Sequence, residues 1–453
     1  MKFKLTDYLY PLEIFRLFRN LQKSQYYAYE QLVDFQNKQL EGLLNHAYNH
    51  VPYYREVFDR IGLKPNDIQT VNDLVHVPVL TKEILRERFN DLKADNAYLF
   101  KPYINKTSGS TGTPLQFLQD KNVSIARFAF FWRAWHMAGY KPYMKWVQVD
   151  GMYVTQSGEL WNYSRVLNSL QINAYSINFG NCQKVIDKVN SFKPRILRGY
   201  PNAIYTLAQF IEINGIPLKF NLKSVITYSE NLLPFQRELI QKVFCCKVYD
   251  IYSMWEGVCL ITECEHQRYH QHMELSIMEI LNEGNQSVEV GIQGEVTATS
   301  FYNFSMPFIR YKTGDLAKRS NEKCNCGRNL IIVDEIIGRK RDALFDTKGF
   351  LVPFQGFLMG TLSDYEKMKG LIQSQIVQNN LNEVEVTVVL KNPEVFSNVC
   401  HEIENSIKAR LGNEMKVKFF VSDEIKKEPN GKMRFVVNKL IDSEGNPINN
   451  TIN

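Results

Sequence analysis

The sequence predicts an α/β protein, with a large domain over residues 1–338 that contains a parallel sheet and a small α+β domain over residues 339–453. Three observations predict it. The first hundred residues read mainly as helices, with Leu40, Leu43, Leu44 and Ala47 spaced for one apolar face. From about residue 100 to 320, short β-rich runs such as 146–149, 224–227 and 247–250 alternate with helical stretches. Such alternation is the pattern of strand–helix–strand units with parallel strands. A β-rich section holding residues 294–299 follows, and after Gly338 the pattern changes again. There residues 384–390 read as a strand, 393–411 as a helix and 415–421 as a strand, in a unit of about 110 residues. Nearer the start, Pro78-Val79-Leu80-Thr81-Lys82 ends one segment and caps the next helix.

At 453 residues, with 44 % apolar and 23 % charged residues, the chain has room for about three units and a sizeable core. The formal charge of +6 is small for this length and the basic residues are scattered, so nucleic-acid binding is not implied. Residues 1–21 lack the continuous apolar centre and small-residue cleavage site of a secretory signal. The most apolar stretch, around 128–138, is cut by Arg133 and is too short to span a bilayer. The expectation is a cytoplasmic protein with no transmembrane segment. Its eight cysteines are then core thiols or metal ligands rather than a disulfide framework. The Tyr- and Phe-rich start reads as packing on the body of the protein rather than as a membrane contact.

Chemistry enters with Thr107-Ser108-Gly109-Ser110-Thr111-Gly112-Thr113-Pro114. Two glycines allow a tight turn and a close approach to a ligand, and hydroxyl and backbone N–H groups can donate to phosphate oxygens. No Gly-Lys-Ser/Thr follows, so the Walker reading fails. Alone, such a run is more often an ordinary loop. Four further runs follow it: Tyr252-Ser253-Met254-Trp255-Glu256, Arg310-Tyr311-Lys312-Thr313-Gly314-Asp315, Gly338-Arg339-Lys340-Arg341-Asp342 with Lys348-Gly349, and Pro429-Asn430-Gly431-Lys432. In this order and spacing the five runs resemble the motifs of the acyl-adenylate-forming superfamily. That superfamily contains acyl-CoA ligases, luciferases and the adenylation domains of peptide synthetases. Residues 49–54, 194–201 and 306–309 add resemblance to its phenylacetate-CoA ligase and CapK-like branch. Many members carry a lysine where Leu115 stands, a departure shared by that branch, which removes one phosphate charge.

The resemblance implies a large multi-subdomain N-terminal adenylate-forming domain and a small mobile C-terminal lid that carries the catalytic lysine. It also implies roles for residues. Thr107, Ser108, Gly109, Ser110, Thr111, Gly112 and Thr113 would hold phosphate. Tyr252 would stack on adenine and Glu256 would bind Mg²⁺, a cation that prefers a hard carboxylate plus phosphate oxygens. Ser253 and Trp255 stand where the family motif has Gly and Thr, so this match is degenerate. Asp315 would accept hydrogen bonds from both ribose hydroxyls, for which a carboxylate has the capacity. Arg339 would contact the nucleotide, and the lid would pivot at Arg341. Lys432 would meet the carboxylate oxygen and the α-phosphate as negative charge redistributes.

Cys264 and His270 precede Cys324 and Cys326 by a long interval. Two short ligand-bearing segments of this kind can assemble one tetrahedral zinc site, structural because four protein ligands leave no open position. Cys259, His266 and His272 compete for the first pair, and reduced core cysteines beside surface histidines are the alternative. The expected activity is ATP- and Mg²⁺-dependent conversion of a carboxylic acid to an acyl-adenylate, then transfer to CoA. Two alternatives stay open. The first is an adenylate-forming protein of surface-polysaccharide biosynthesis that passes the acyl group to a sugar amine or a carrier-protein thiol. The second is a non-catalytic nucleotide-binding relative that acts as an assembly module.

Overall fold

The computed structural model describes residues 10–107, 115–151, 159–178, 180–352, 370–426, 434–442 and 448. The chain forms two compact units, each assembled from non-adjacent segments. One comprises Ala138–Asp250 and Ile337–Asn453, the other Phe3–Met137 and Ile251–Ile336.

In the first unit, strands Ser169–Asn173, Trp146–Asp150, Ile196–Gly199 and Ser224–Tyr228 lie side by side in that order and run parallel. Trp161–Ser164 adds an antiparallel edge. These strands are buried on both faces, as parallel strands covered by helices are: Val225 and Ile226 put apolar side chains on both faces, and buried Gln148 lies between Val147 and Val149 on the opposite face. Helices Cys182–Phe192, Pro201–Asn214 and Pro234–Phe244 connect them. Gly199 ends its strand with φ +155°, and a Cβ there would fall on the Val149 carbonyl oxygen, so no larger residue fits.

The C-terminal part of this unit is a small α+β domain. Its four-stranded sheet has the order Lys416–Val421, Glu383–Leu390, Leu371–Asn380, Val436–Asn438, with helix Phe396–Leu411 against it. Val384, Val386 and Ile403 join the same apolar core as Val225 and Leu239. Gln209 Nε2 donates to the Leu371 carbonyl at 2.8 Å.

The second unit opens with helices Pro11–Ser24, Tyr29–His50 and Pro52–Arg60. Leu32, Gln36, Leu40, Leu43, Leu44 and Ala47 make one buried face on the long helix. It stops because Pro52 drives Val51 into extended backbone, and the same proline then opens the next helix. A hairpin of Tyr103–Lys106 and Gln116–Gln119 leads to helix Lys121–Met137. Antiparallel strands Leu260–Glu263, Tyr269–Gln271, Ser276–Leu281, Gln293–Ser300 and Tyr311–Ser320 complete the unit.

Asp120 ties the hairpin, the helix and a later loop together. Its carboxylate is fully buried and accepts from the N–H groups of Asn122 (2.9 Å) and Val123 (3.3 Å), capping helix Lys121–Met137. It also accepts from the N–H groups of Phe304 (2.8 Å) and Ser305 (3.1 Å). Asp120→Ala strips a cap and leaves buried donors unmatched, and is expected to cost about 2–4 kcal/mol of stability. Denaturant unfolding checks this; a midpoint equal to that of the wild type would remove Asp120 as a keystone. Among the described residues no helix is long and apolar enough to cross a membrane.

Candidate active site

Two of the residues singled out in the sequence, Tyr252 and Asp315, meet in the second unit, and Glu256 lies in the same unit. Tyr252 is the last residue but one of the strand Lys247–Ser253, whose last residues pair antiparallel with Leu260–Thr262, so Tyr252 faces Ile261 across the ladder. Its hydroxyl donates to Asp315 Oδ2 at 2.7 Å. Burial, and then the neighbouring Asp315 carboxylate, hold the Tyr252 phenol well above its usual pKa range, so it remains a donor. Asp315 is itself buried on strand Tyr311–Ser320, where Thr313 Oγ1 accepts from the Asp315 N–H at 3.1 Å and donates to the Val296 carbonyl at 2.8 Å. The Gly314 N–H donates to Glu295 Oε1 at 3.0 Å. Glu256 follows the Tyr252 strand in a turn; it is 5 % exposed, and the Tyr311 hydroxyl donates to its Oε1 at 3.1 Å.

Tyr311 and Glu295 were not singled out in the sequence. Strand alternation was the available signal: Tyr311 points inward four residues before Asp315 on the same strand. The arrangement presents two buried carboxylates and an aromatic ring, a set suited to ribose hydroxyls, a hard cation and a purine. A small cavity opens beside the Tyr252 turn, lined by Phe130, Phe131, Met254, Leu260, Leu275 and Tyr302. Arg127 stands at this cavity, its guanidinium 4.9 Å from the Trp255 ring and donating to the Trp255 carbonyl at 3.0 Å.

The other positions fall as follows. Thr107 closes the base of the glycine-containing loop: its N–H donates to the Leu115 carbonyl at 2.9 Å, and its hydroxyl accepts from the Leu115 N–H at 3.0 Å. Ser108, Gly109, Ser110, Thr111, Gly112 and Thr113 lie outside the described residues, as does Lys432. Arg339 is the exposed last residue of strand Ile332–Arg339. Arg341 has its backbone in the short turn Lys340–Asp342, and its side chain is outside the description. Asp342 pairs with Arg434 at 2.7 Å, which ties that turn to the residue two positions after Lys432.

Cys264, His270, Cys324 and Cys326 also meet, all in the second unit. Their four ligand atoms lie within 4.8 Å of one another, the one such cluster among the described residues. Cys264 Sγ is 3.6 Å from Cys324 Sγ, and Cys326 Sγ is 3.4 Å from His270 Nε2. A tetrahedron with zinc–ligand distances near 2.0–2.3 Å has edges of roughly 3.3–3.8 Å, so the spacing suits zinc. Burial, and then the Arg328 charge, lower the His270 pKa to about 4, leaving a neutral imidazole. Burial pushes the Cys264 thiol up to about 12, a cost that a bound dication would reverse. Of the competitors, Cys259 packs against Met278 in the core. His272 is held between Arg133 and Thr262.

A family model described as the CapK C-terminal domain matches residues 358–439. Protein CapK of Staphylococcus aureus is 27 % identical over 416 residues, covering 90 % of each chain. The phenylacetate-coenzyme A ligase of Escherichia coli (strain K12) is 26 % identical over 403 residues, 84 % of this chain and 89 % of that one. Among solved structures, a 2-hydroxyisobutyryl-CoA ligase in the postadenylation state with 2-HIB-AMP shares the fold at a TM-score of 0.71 and 20 % identity, over 89 % of this chain and 88 % of that one. In sequence the chain is thus similar to protein CapK and to phenylacetate-coenzyme A ligases over most of its length, and in fold to a solved acyl-CoA ligase.

Proposed function

We propose that the protein is an AMP-forming acid–CoA ligase. The observation that carries the reading is the half-buried Tyr252 bonded to buried Asp315, with buried Glu256 bonded to Tyr311, in a chain related to phenylacetate-coenzyme A ligases over most of its length. In the first step a carboxylate oxygen of the acid attacks the α-phosphorus of ATP. The bond to the bridging oxygen breaks and pyrophosphate leaves. In the second, the CoA thiolate attacks the acyl carbon, AMP departs, and the thiol proton passes to solvent. Asp315 accepts the ribose hydroxyls, Tyr252 presents its ring to adenine, Arg339 and the 107–113 loop hold phosphate, and Lys432 steadies the charge of the first transition state. Glu256 would hold magnesium, which would supply neutralising charge. The apolar cavity beside Met254 takes the acyl group. Residues 339–453 act as a lid that pivots at Arg341 between the two steps. Cys264, His270, Cys324 and Cys326 would hold a structural zinc that ties two segments together outside the chemistry.

Acid-dependent pyrophosphate exchange tests the first step, and CoA-dependent thioester formation the second. Exchange that no carboxylic acid stimulates would overturn the reading in favour of a nucleotide-binding module. A second reading of the acceptor is supported by the CapK match over residues 358–439, the region that would serve the second step. On that reading the acyl group passes to a sugar amine or a carrier-protein thiol, and exchange without thioester formation would favour it.

Asp315→Ala is expected to weaken ATP binding about tenfold or more, because charge-assisted hydrogen bonds to ribose are lost. Calorimetric titration reads this directly; wild-type affinity in the variant would remove Asp315 from the nucleotide site.

A further inference from the structure

A lysine from the helical start of the chain lies against the Thr313-Gly314-Asp315 run. The link is a backbone bridge: the Leu80 N–H donates to the Arg310 carbonyl at 3.0 Å, and the Lys312 N–H donates to the Leu80 carbonyl at 2.9 Å. Leu80 and Tyr311 are thereby registered in parallel, which, continued two residues along, brings Lys82 level with Thr313, the residue before Gly314. Thr81 then fixes the turn, its side chain accepting from the Ile84 N–H at 3.3 Å. The Lys82 side chain is half-buried, and its ammonium comes so close to Gly314 that a Cβ there would lie 3.0 Å from Nζ. Gly314 also has φ +80°, a backbone conformation that strains any larger residue, while the Lys82 ammonium would need to shift only slightly to admit a Cβ.

The surroundings make this cation informative. Glu295 holds the Gly314 N–H, and Asp315 and Glu256 are buried on neighbouring backbone. The loop base next to Thr107 carries Leu115, with no lysine following Pro114, so the loop itself lacks a phosphate cation. A nucleotide whose ribose sits on Asp315 brings its phosphates within reach of groups flanking that residue. We propose that Lys82 is the phosphate-binding cation of this site, a role the local sequence of the glycine-containing loop leaves vacant. The proposal rests on Asp315 holding the ribose. A flexible ammonium with three donors is suited to a phosphate chain whose charge shifts as pyrophosphate departs.

The test compares ATP with adenosine in calorimetric titrations of the full chain at fixed magnesium. Lys82→Ala is expected to lower ATP affinity about 10–100-fold, while adenosine, which has no phosphate, binds as it does to wild type. Lys82→Arg should restore most of the loss. Lys82→Met keeps the aliphatic stem and guards against a folding defect, and melting of each variant is measured alongside. Equal ATP affinity in folded Lys82→Met and wild type would overturn the proposal, as would parallel loss of ATP and adenosine. Wild-type protein that binds neither ligand would overturn the nucleotide reading itself, an outcome separate from these two.

Discussion

Lys432→Ala is expected to slow acyl-adenylate formation by about 10²–10³ while leaving ATP binding nearly intact. A point cation that meets the carboxylate oxygen and the α-phosphate gains most as charge moves between them, so its removal raises the barrier more than it weakens the ground state. The stem of its loop is anchored. Arg434 pairs with Asp342, the Phe435 carbonyl accepts from the Ile376 N–H at 2.7 Å, and Val436–Asn438 runs parallel to Leu371–Asn380. An alanine at 432 therefore leaves the surrounding sheet as it was. Single-turnover adenylation and ATP titration on the same preparation separate the two quantities. Thioester formation from supplied acyl-adenylate should proceed at close to the wild-type rate. Adenylation at the wild-type rate in the variant would take Lys432 out of the mechanism.

Purified protein is expected to carry about one zinc per chain. Cys324→Ser with Cys326→Ser should abolish it and cost on the order of 4 kcal/mol of stability. Each serine replaces a soft thiolate by a poor zinc ligand, and the two remaining ligands cannot hold a tetrahedral ion. The turn after Cys264 and the turn at Cys324–Cys326 then lose their common anchor. Arg328–Glu265 at 2.8 Å remains as a partial substitute, with Glu265 itself more than a third exposed. Metal analysis and thermal unfolding measure the two effects. Adenylation per folded molecule should be preserved. Carefully purified wild type without zinc would favour reduced core thiols.

The parallel strands were legible because short β-rich runs, as at 146–149 and 224–227, alternate with helical stretches. The meeting of Tyr252 with Asp315 was legible only through resemblance, since nothing local tells one chain segment where another, 63 residues away, will lie. Tyr311 beneath Glu256 and Lys82 beside Gly314 were out of reach because they depend on register: Lys82 meets its neighbour through the single bridge at Leu80. The zinc cluster shows the same dependence. Spacing alone left His266 and His272 open, and the hairpin decides between the three histidines. The Cys264 N–H bonds to the Arg268 carbonyl and His270 faces Thr262, so His270 is the diagonal neighbour of Cys264, while His272 lies a further pair along, opposite Leu260.

The segmented build of the second unit has a consequence for synthesis. Its first piece ends at Met137 and its second begins at Ile251 and ends at Ile336. At about 5–20 residues per second, roughly 10–40 s separate the emergence of Met137 from that of Ile336. Throughout that interval Leu40, Leu43 and Leu44 wait for Val296, Ala298 and Phe308, the strand and loop residues that complete their core. The nascent chain thus presents an apolar helix face to solvent while an entire intervening α/β layer is being made. Holdase chaperones acting on the ribosome-bound chain would find their target there, and a version whose order is permuted to make residues 251–336 directly after residue 137 would need them less.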